Sequence, residues 1–154
     1  MYIRECEEKD IKQITILLNE LQNHLNKLKN IFNNNKKKQE EYIRLNFERM
    51  KNDEYYKSYV YIENNEIIGF ISMIFYRSLL HHNGTALINE LIVKHNNRNK
   101  GIGEKLLLMA IKEAKKKEMD EIEAGVLKEN ADAIRFYKRN GFDEEYYLLG
   151  MEFK

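Results

Sequence analysis

Apolar residues recur along the chain with two different periods. Asp10 offers an N-cap to a run in which Ile11, Ile14, Leu18, Leu21 and Leu25 fall three or four apart, the spacing of one helical face. Tyr42, Leu45, Arg49 and Met50, with Ile43 and Phe47 beside them, predict a second helix of weaker periodicity. Tyr2 to Cys6 alternates as a short strand would. Ser58 to Ile62 and Ile67 to Tyr76 are rich in β-branched and aromatic residues, and Glu63-Asn64-Asn65-Glu66 between them has the length of a hairpin turn, so the two runs should pair antiparallel. Thr85 to Val93 is a further apolar run, Gly101 to Lys117 reads as a long helix, and Glu121 to Leu127 alternates again before a helix from about Ala131. Tyr146 to Phe153 is expected to close the sheet. Strand, two helices, hairpin, strand, helix, strand, helix and strand in that order predict an α/β (α+β) protein, a mixed sheet flanked by helices.

Composition narrows the class. The 154 residues contain no Pro and 7 Gly, so no linker divides them, and a single domain over 1–154 with 43% hydrophobic content is expected. The Asn33-Asn34-Asn35-Lys36-Lys37-Lys38 run reads as a solvated loop between the first two helices. Lys and Arg total 26 against 25 Asp and Glu, a net charge of +1, which argues against a dedicated nucleic-acid binder. One cysteine, Cys6, no signal-peptide pattern and no apolar run long enough to span a bilayer predict a soluble protein of the cytoplasm.

Chemistry concentrates in the segment from Leu91 to Glu104. A buried-looking strand, Leu91-Ile92-Val93, runs into the polar loop Lys94-His95-Asn96-Asn97-Arg98-Asn99-Lys100, then Gly101-Ile102-Gly103-Glu104 opens a helix. Amides at a helix amino terminus, backed by the macrodipole, bind anionic oxygens, and glycine lets backbone approach closely. From Lys94 to Glu118 eight Lys/Arg face three Asp/Glu, a local excess of +5 that leaves −4 for the rest of the chain. A pyrophosphate cradle fits. Leu106 stands where a dinucleotide fingerprint needs its third glycine, and no nucleoside-triphosphate loop is present. Downstream, Asn130 caps a short helix that ends in Gly141-Phe142, with Asn130, Ala133 and Tyr137 on one face.

These residues resemble the GCN5-related N-acetyltransferase (GNAT) superfamily, strongly from about Ile88 to Phe142 and loosely in the elements before. Arg98-Asn99-Lys100-Gly101-Ile102-Gly103 matches its (Gln/Arg)-x-x-Gly-x-(Gly/Ala) loop, and Asn130-x-x-Ala133-x-x-Phe136-Tyr137-x-x-x-Gly141-Phe142 matches its later helix motif. The resemblance implies a twisted, mostly antiparallel mixed sheet of about six to seven strands flanked by four helices. It implies acetyl-CoA as acyl donor, with the amides of Arg98, Asn99, Lys100, Gly101, Ile102, Gly103 and Glu104 on the pyrophosphate. Leu91, Ile92 and Val93 would pair with the pantetheine arm, Asn130 would touch it, and Tyr137 would face the sulfur. His95 departs from the proline the family often carries after this strand.

The implied activity is N-acetyl transfer to a primary amine of a small molecule or peptide, without metal, nucleic acid or membrane, in a monomer or a homodimer paired through the tyrosine-rich carboxy terminus. Tyr137 is the expected general acid, and a backbone N–H near Ile92 the expected oxyanion donor. Glu90 is the candidate base, working directly or through water, with amine binding as its alternative role and the loop residues His81 and His82 as a second candidate pair. The acceptor is expected between the first two helices and the hairpin, among Glu20, Gln22, His24, Tyr55, Tyr56 and Tyr76, where acidic groups would suit a cationic amine. The rival reading is a non-catalytic acyl-CoA-binding or sensing module.

Overall fold

The computed structural model describes residues 1–30 and 36–153. Five strands, β1 (Tyr2–Glu5), β2 (Tyr56–Glu63), β3 (Glu66–Tyr76), β4 (Thr85–Val93) and β5 (Glu121–Ala124), form one sheet in sequence order. All neighbours are antiparallel except β4 and β5, which run parallel. Four helices accompany them: α1 (Ile11–Leu28), α2 (Lys36–Met50), α3 (Ile102–Lys116) and α4 (Ala131–Arg139).

The pattern of the sequence is what the sheet uses. Asn64 and Asn65 take positive φ values of 49° and 62°, the left-handed pair that closes a two-residue hairpin with the right twist, and so β2 pairs with β3. Alternation then sends Tyr59, Tyr61, Ile71, Met73 and Phe75 to the face covered by α3, where Leu106, Leu107 and Ala110 are buried. Val60, Ile62, Ile67 and Phe70 go to the opposite face, covered by Ile11, Ile14 and Leu17 of α1 and Phe47 of α2. Two apolar layers thus sandwich the sheet.

Four expectations change in detail. The mixed, mostly antiparallel class with four helices holds, but the strands number five, and β5 ends at Ala124. Tyr146 to Phe153 forms no strand, with Tyr147, Leu148 and Leu149 exposed at 96%, 92% and 92%. That run is apolar at odd and even positions alike, so it gains from pairing only where both faces are covered, and four-residue β5, itself half-exposed throughout, gives no such cover. On α2 the inward residues are Ile43, Phe47 and Met50, while Tyr42 and Leu45 face outward, because a mean hydrophobic stripe this narrow is decided by which side meets α1. Lys36–Lys38 begin α2 instead of forming loop, and Asn33–Asn35 lie outside the described residues.

Candidate active site

A bulge in β4 organises the site. Ile88 pairs with Met73 and Glu90 with Ser72, so Asn89 is one residue more than the partner strand can match. The parity of β4 reverses there: Ala86 and Ile88 pack with α3, whereas Glu90 and Ile92 lie on the side of α1 and α2, and Leu91 and Val93 return to the α3 side. Without the extra residue Glu90 would point toward α3.

Glu90 borders a cavity of about 110 Å³ between the sheet and the first two helices. Ser72, fully buried at the centre of β3, donates its hydroxyl to Oε2 of Glu90. Burial raises the Glu90 pKa, and the Ser72 hydroxyl opposes that rise only in part. Tyr56 lines the same cavity, its phenol pushed up to about 12 chiefly by burial. Cys6, also on its wall, is a buried thiol held up at about 12 for the same reason, which leaves it uncharged and unreactive.

The same strand supplies an open edge. β4 and β5 stay paired from Thr85 with Glu121 to Ile88 with Ala124; past the bulge, Leu91, Ile92 and Val93 keep β3 on one side and have no strand on the other among the described residues. Behind this edge the chain turns into α3 through Asn99 at φ 60° and Gly101 at φ 76°, both left-handed. A side chain at Gly101 would meet nothing within 4 Å, so its backbone conformation, not crowding, calls for glycine. The first bond of the helix is Lys105 N–H to the Gly101 carbonyl at 3.1 Å, which leaves the amides of Ile102, Gly103 and Glu104 ahead of the hydrogen-bond ladder. Positive partial charge therefore faces outward beside the open edge.

The two glycines have different duties. At Gly103 a Cβ would lie 3.3 Å from Cε2 of Phe136, so this glycine lets α4 sit against the start of α3. Arg139 adds an ion pair to Glu104 at 3.0 Å across the same junction. Arg98 does not project toward the helix start: its Nε donates to the Val93 carbonyl at 2.9 Å and its Nη2 to Glu20 at 2.7 Å, which ties the loop to β4 and α1. Lys100 and His95 are exposed.

On α4, Asn130 accepts the Ala133 N–H at 3.3 Å as N-cap, leaving its side-chain NH2 with no described partner. The other end is a Schellman cap: Phe142 N–H bonds the Tyr137 carbonyl at 3.1 Å, Gly141 N–H bonds the Lys138 carbonyl at 3.1 Å, and Gly141 sits at φ 92°. The Phe142 ring rests 5.1 Å from that of Tyr137, and Phe136 is 5.2 Å away on another side. The phenol is thereby held by aromatic contacts, and burial raises its pKa.

The structure gathers the glycine loop, the Leu91–Val93 edge and Tyr137 around one side of the sheet, with Glu90 on the other side at the same bulge, and Asn130 stands at the start of α4. Of the six residues expected around the acceptor, Tyr56 alone lines the cavity: Glu20 is paired with Arg98, the Tyr76 hydroxyl donates to Glu123 at 2.8 Å, Gln22 bonds Asn26, and His24 and Tyr55 are not on its wall. His81 is held between Ser78 at 2.7 Å and Glu121 at 2.8 Å, near the far end of β4 and about 15 Å from Glu90 at the strand's rise. His82 is exposed. Sequence reasoning missed Ser72, Ile43 and Phe47 as site residues; the one signal for Ser72 was a small hydroxyl in the apolar run Phe70 to Phe75.

The chain belongs to the acetyltransferase (GNAT) family, whose model matches residues 18–142. Among particular proteins, it is 36% identical over 88 residues to an uncharacterised N-acetyltransferase of Methanocaldococcus jannaschii, a match covering 56% of this chain and 39% of that one. It is 33% identical over 86 residues to the aminoalkylphosphonate N-acetyltransferase of Salmonella typhimurium, covering 56% of each. The chain thus matches about half or less of the length of these relatives. A solved transcriptional regulator from Bacillus halodurans C-125 superposes over 99% of both chains with a TM-score of 0.82 at 26% identity.

Proposed function

We propose that this protein is an N-acetyltransferase that moves the acetyl group of acetyl-CoA to a primary amine of a small molecule or peptide. One observation carries the reading: three amides ahead of the α3 ladder, at a left-handed glycine, lie beside a strand edge that has lost its neighbour. A pyrophosphate suits the amides, and an extended amide-bearing arm suits the edge, which can accept it as a strand accepts a peptide. Asn99, Lys100, Gly101, Ile102, Gly103 and Glu104 would hold the first, Leu91, Ile92, Val93 and Asn130 the second; Arg98, expected among the first group, has its N–H on the His95 carbonyl at 3.3 Å and its guanidinium on Val93 and Glu20, and would position the loop instead. When bound, acetyl-CoA supplies a thioester whose C–S bond breaks as the C–N bond to the amine forms.

The chain's own residues handle the protons. Glu90 takes one from the attacking amine, directly or through water, and its raised pKa makes it a better base than an ordinary surface carboxylate. Tyr137 gives one to the departing sulfur; burial keeps its phenol protonated until then. A backbone N–H near Ile92 steadies the developing oxyanion. The two side chains lie on opposite sides of the sheet, which suits an acceptor and a donor arriving from opposite sides of the open edge. The exposed apolar run Tyr147 to Phe153 further supports a homodimer, since a patch of that kind is normally covered. Sedimentation should give a dimer for the native chain and a monomer for Leu148→Lys.

Calorimetry with CoA, followed by thiol release from acetyl-CoA across a panel of amines, tests the function. Micromolar binding with amine-dependent release is the expected result. No heat would overturn the reading, and binding without release to any amine would make the protein an acyl-CoA sensor.

A further inference from the structure

The cavity beside Glu90 is walled by Ile14 and Leu18 of α1, Ile43 and Phe47 of α2, and Phe70 of β3, and Glu90 is the one carboxylate among its described lining residues. The acidic residue expected nearby, Glu20, is instead neutralised by Arg98. An ammonium entering here meets a single counter-charge, and most of the remaining wall is hydrocarbon, with Cys6, Asn46 and Tyr56 as its other polar side chains. A second ammonium would find no second carboxylate on the described wall, and an unpaired charge costs far more to desolvate than an apolar group gains. The space of about 110 Å³ admits a short branched alkyl group and falls below the roughly 150 Å³ that holds benzene.

We propose that the acceptor is a monoamine carried on a compact apolar body, such as a branched-chain alkyl amine, seated in this cavity with its nitrogen at Glu90. The assignment rests on the acetyltransferase reading above. It excludes polyamines, aminoglycosides and zwitterionic amino acids as preferred acceptors, because each brings a further charge that the described walls leave unpaired.

Thiol release from acetyl-CoA, measured as kcat/KM over a graded series, tests it. From ethylamine through butylamine to isoamylamine the value should climb about fourfold per methylene until the cavity is full. Isoamylamine should exceed spermidine, kanamycin and leucine by at least about a hundredfold. Ile43→Glu, checked for unchanged CoA affinity as evidence of folding, should lower isoamylamine turnover and narrow or reverse its advantage over 1,5-diaminopentane. A flat alkyl series, or spermidine or kanamycin as the best acceptor, overturns the proposal while leaving acetyl transfer intact. CoA binding without release to any amine overturns the catalytic reading itself.

Discussion

A single inserted residue determines which face of the sheet carries Glu90. Asn89 reverses the facing of β4, and Glu90 lands at a largely apolar cavity with the Ser72 hydroxyl as its partner. Because burial raises its pKa, the folded chain holds a proton on Glu90 at pH values where the unfolded chain has released it. Its stabilising contribution is therefore complete at low pH and is lost as pH rises from the ordinary carboxylate range through the folded value. Glu90→Gln keeps the shape and the acceptor for Ser72, so it should raise the melting temperature at pH 8 and leave it nearly unchanged at pH 4. The same variant should lose about a hundredfold in kcat and lose the acidic limb of the kcat/KM profile, a limb that in the native protein falls above the usual carboxylate pKa. A rise in amine KM with kcat spared would assign Glu90 to binding instead. Tyr137→Phe keeps the aromatic contacts to Phe136 and Phe142, and turnover should fall roughly ten- to a hundredfold with CoA affinity within twofold.

Among the elements, α4 is positioned by its ends. Gly141 adopts φ 92° in the Schellman cap, and Phe142 closes it onto Tyr137. Gly141→Ala forces a left-handed alanine, with a cost of about 1 kcal/mol in a urea melt. Since the strain falls on the turn that aims the phenol, kcat should drop more than the stability loss explains, while CoA binding at the other end of the helix stays close to native. The α3 start behaves differently: Gly101 is required by a backbone angle and Gly103 by the ring of Phe136, two unlike causes behind one Gly-x-Gly motif.

Across the molecule, the helices over the cavity are tied to the first strand by one ion pair. Arg4 of β1 meets Asp10, at the entry to α1, through two bonds of 2.6 and 2.8 Å, and the Glu7 N–H adds a third at 2.8 Å. Burial would raise the Asp10 carboxyl, but Arg4 and the Glu7 N–H outweigh it and hold the pKa below its usual value. The contribution is present above the unfolded carboxylate pKa and is lost as pH falls through the depressed folded value. Asp10→Ala should thus cost about 2–3 kcal/mol at pH 7, and native and variant stabilities should converge in acid, measured by urea unfolding.

The order of elements as far as α4, the hairpin at Asn64-Asn65, the capped helix from Asn130 to Gly141 and the glycine loop were readable in the chain, because each is set by contacts within a few residues. So was the family resemblance, carried by two short motifs. The inward face of α2, the pairing of Arg98 with Glu20, the apolar wall around Glu90 and the unpaired Tyr146–Phe153 run were decided in three dimensions. In each case the outcome depends on which distant surface an element meets, and a local pattern with period two or three and a half does not encode that. The bulge at Asn89 lies between the two: its residues are local, but the mismatch that creates it exists only against β3.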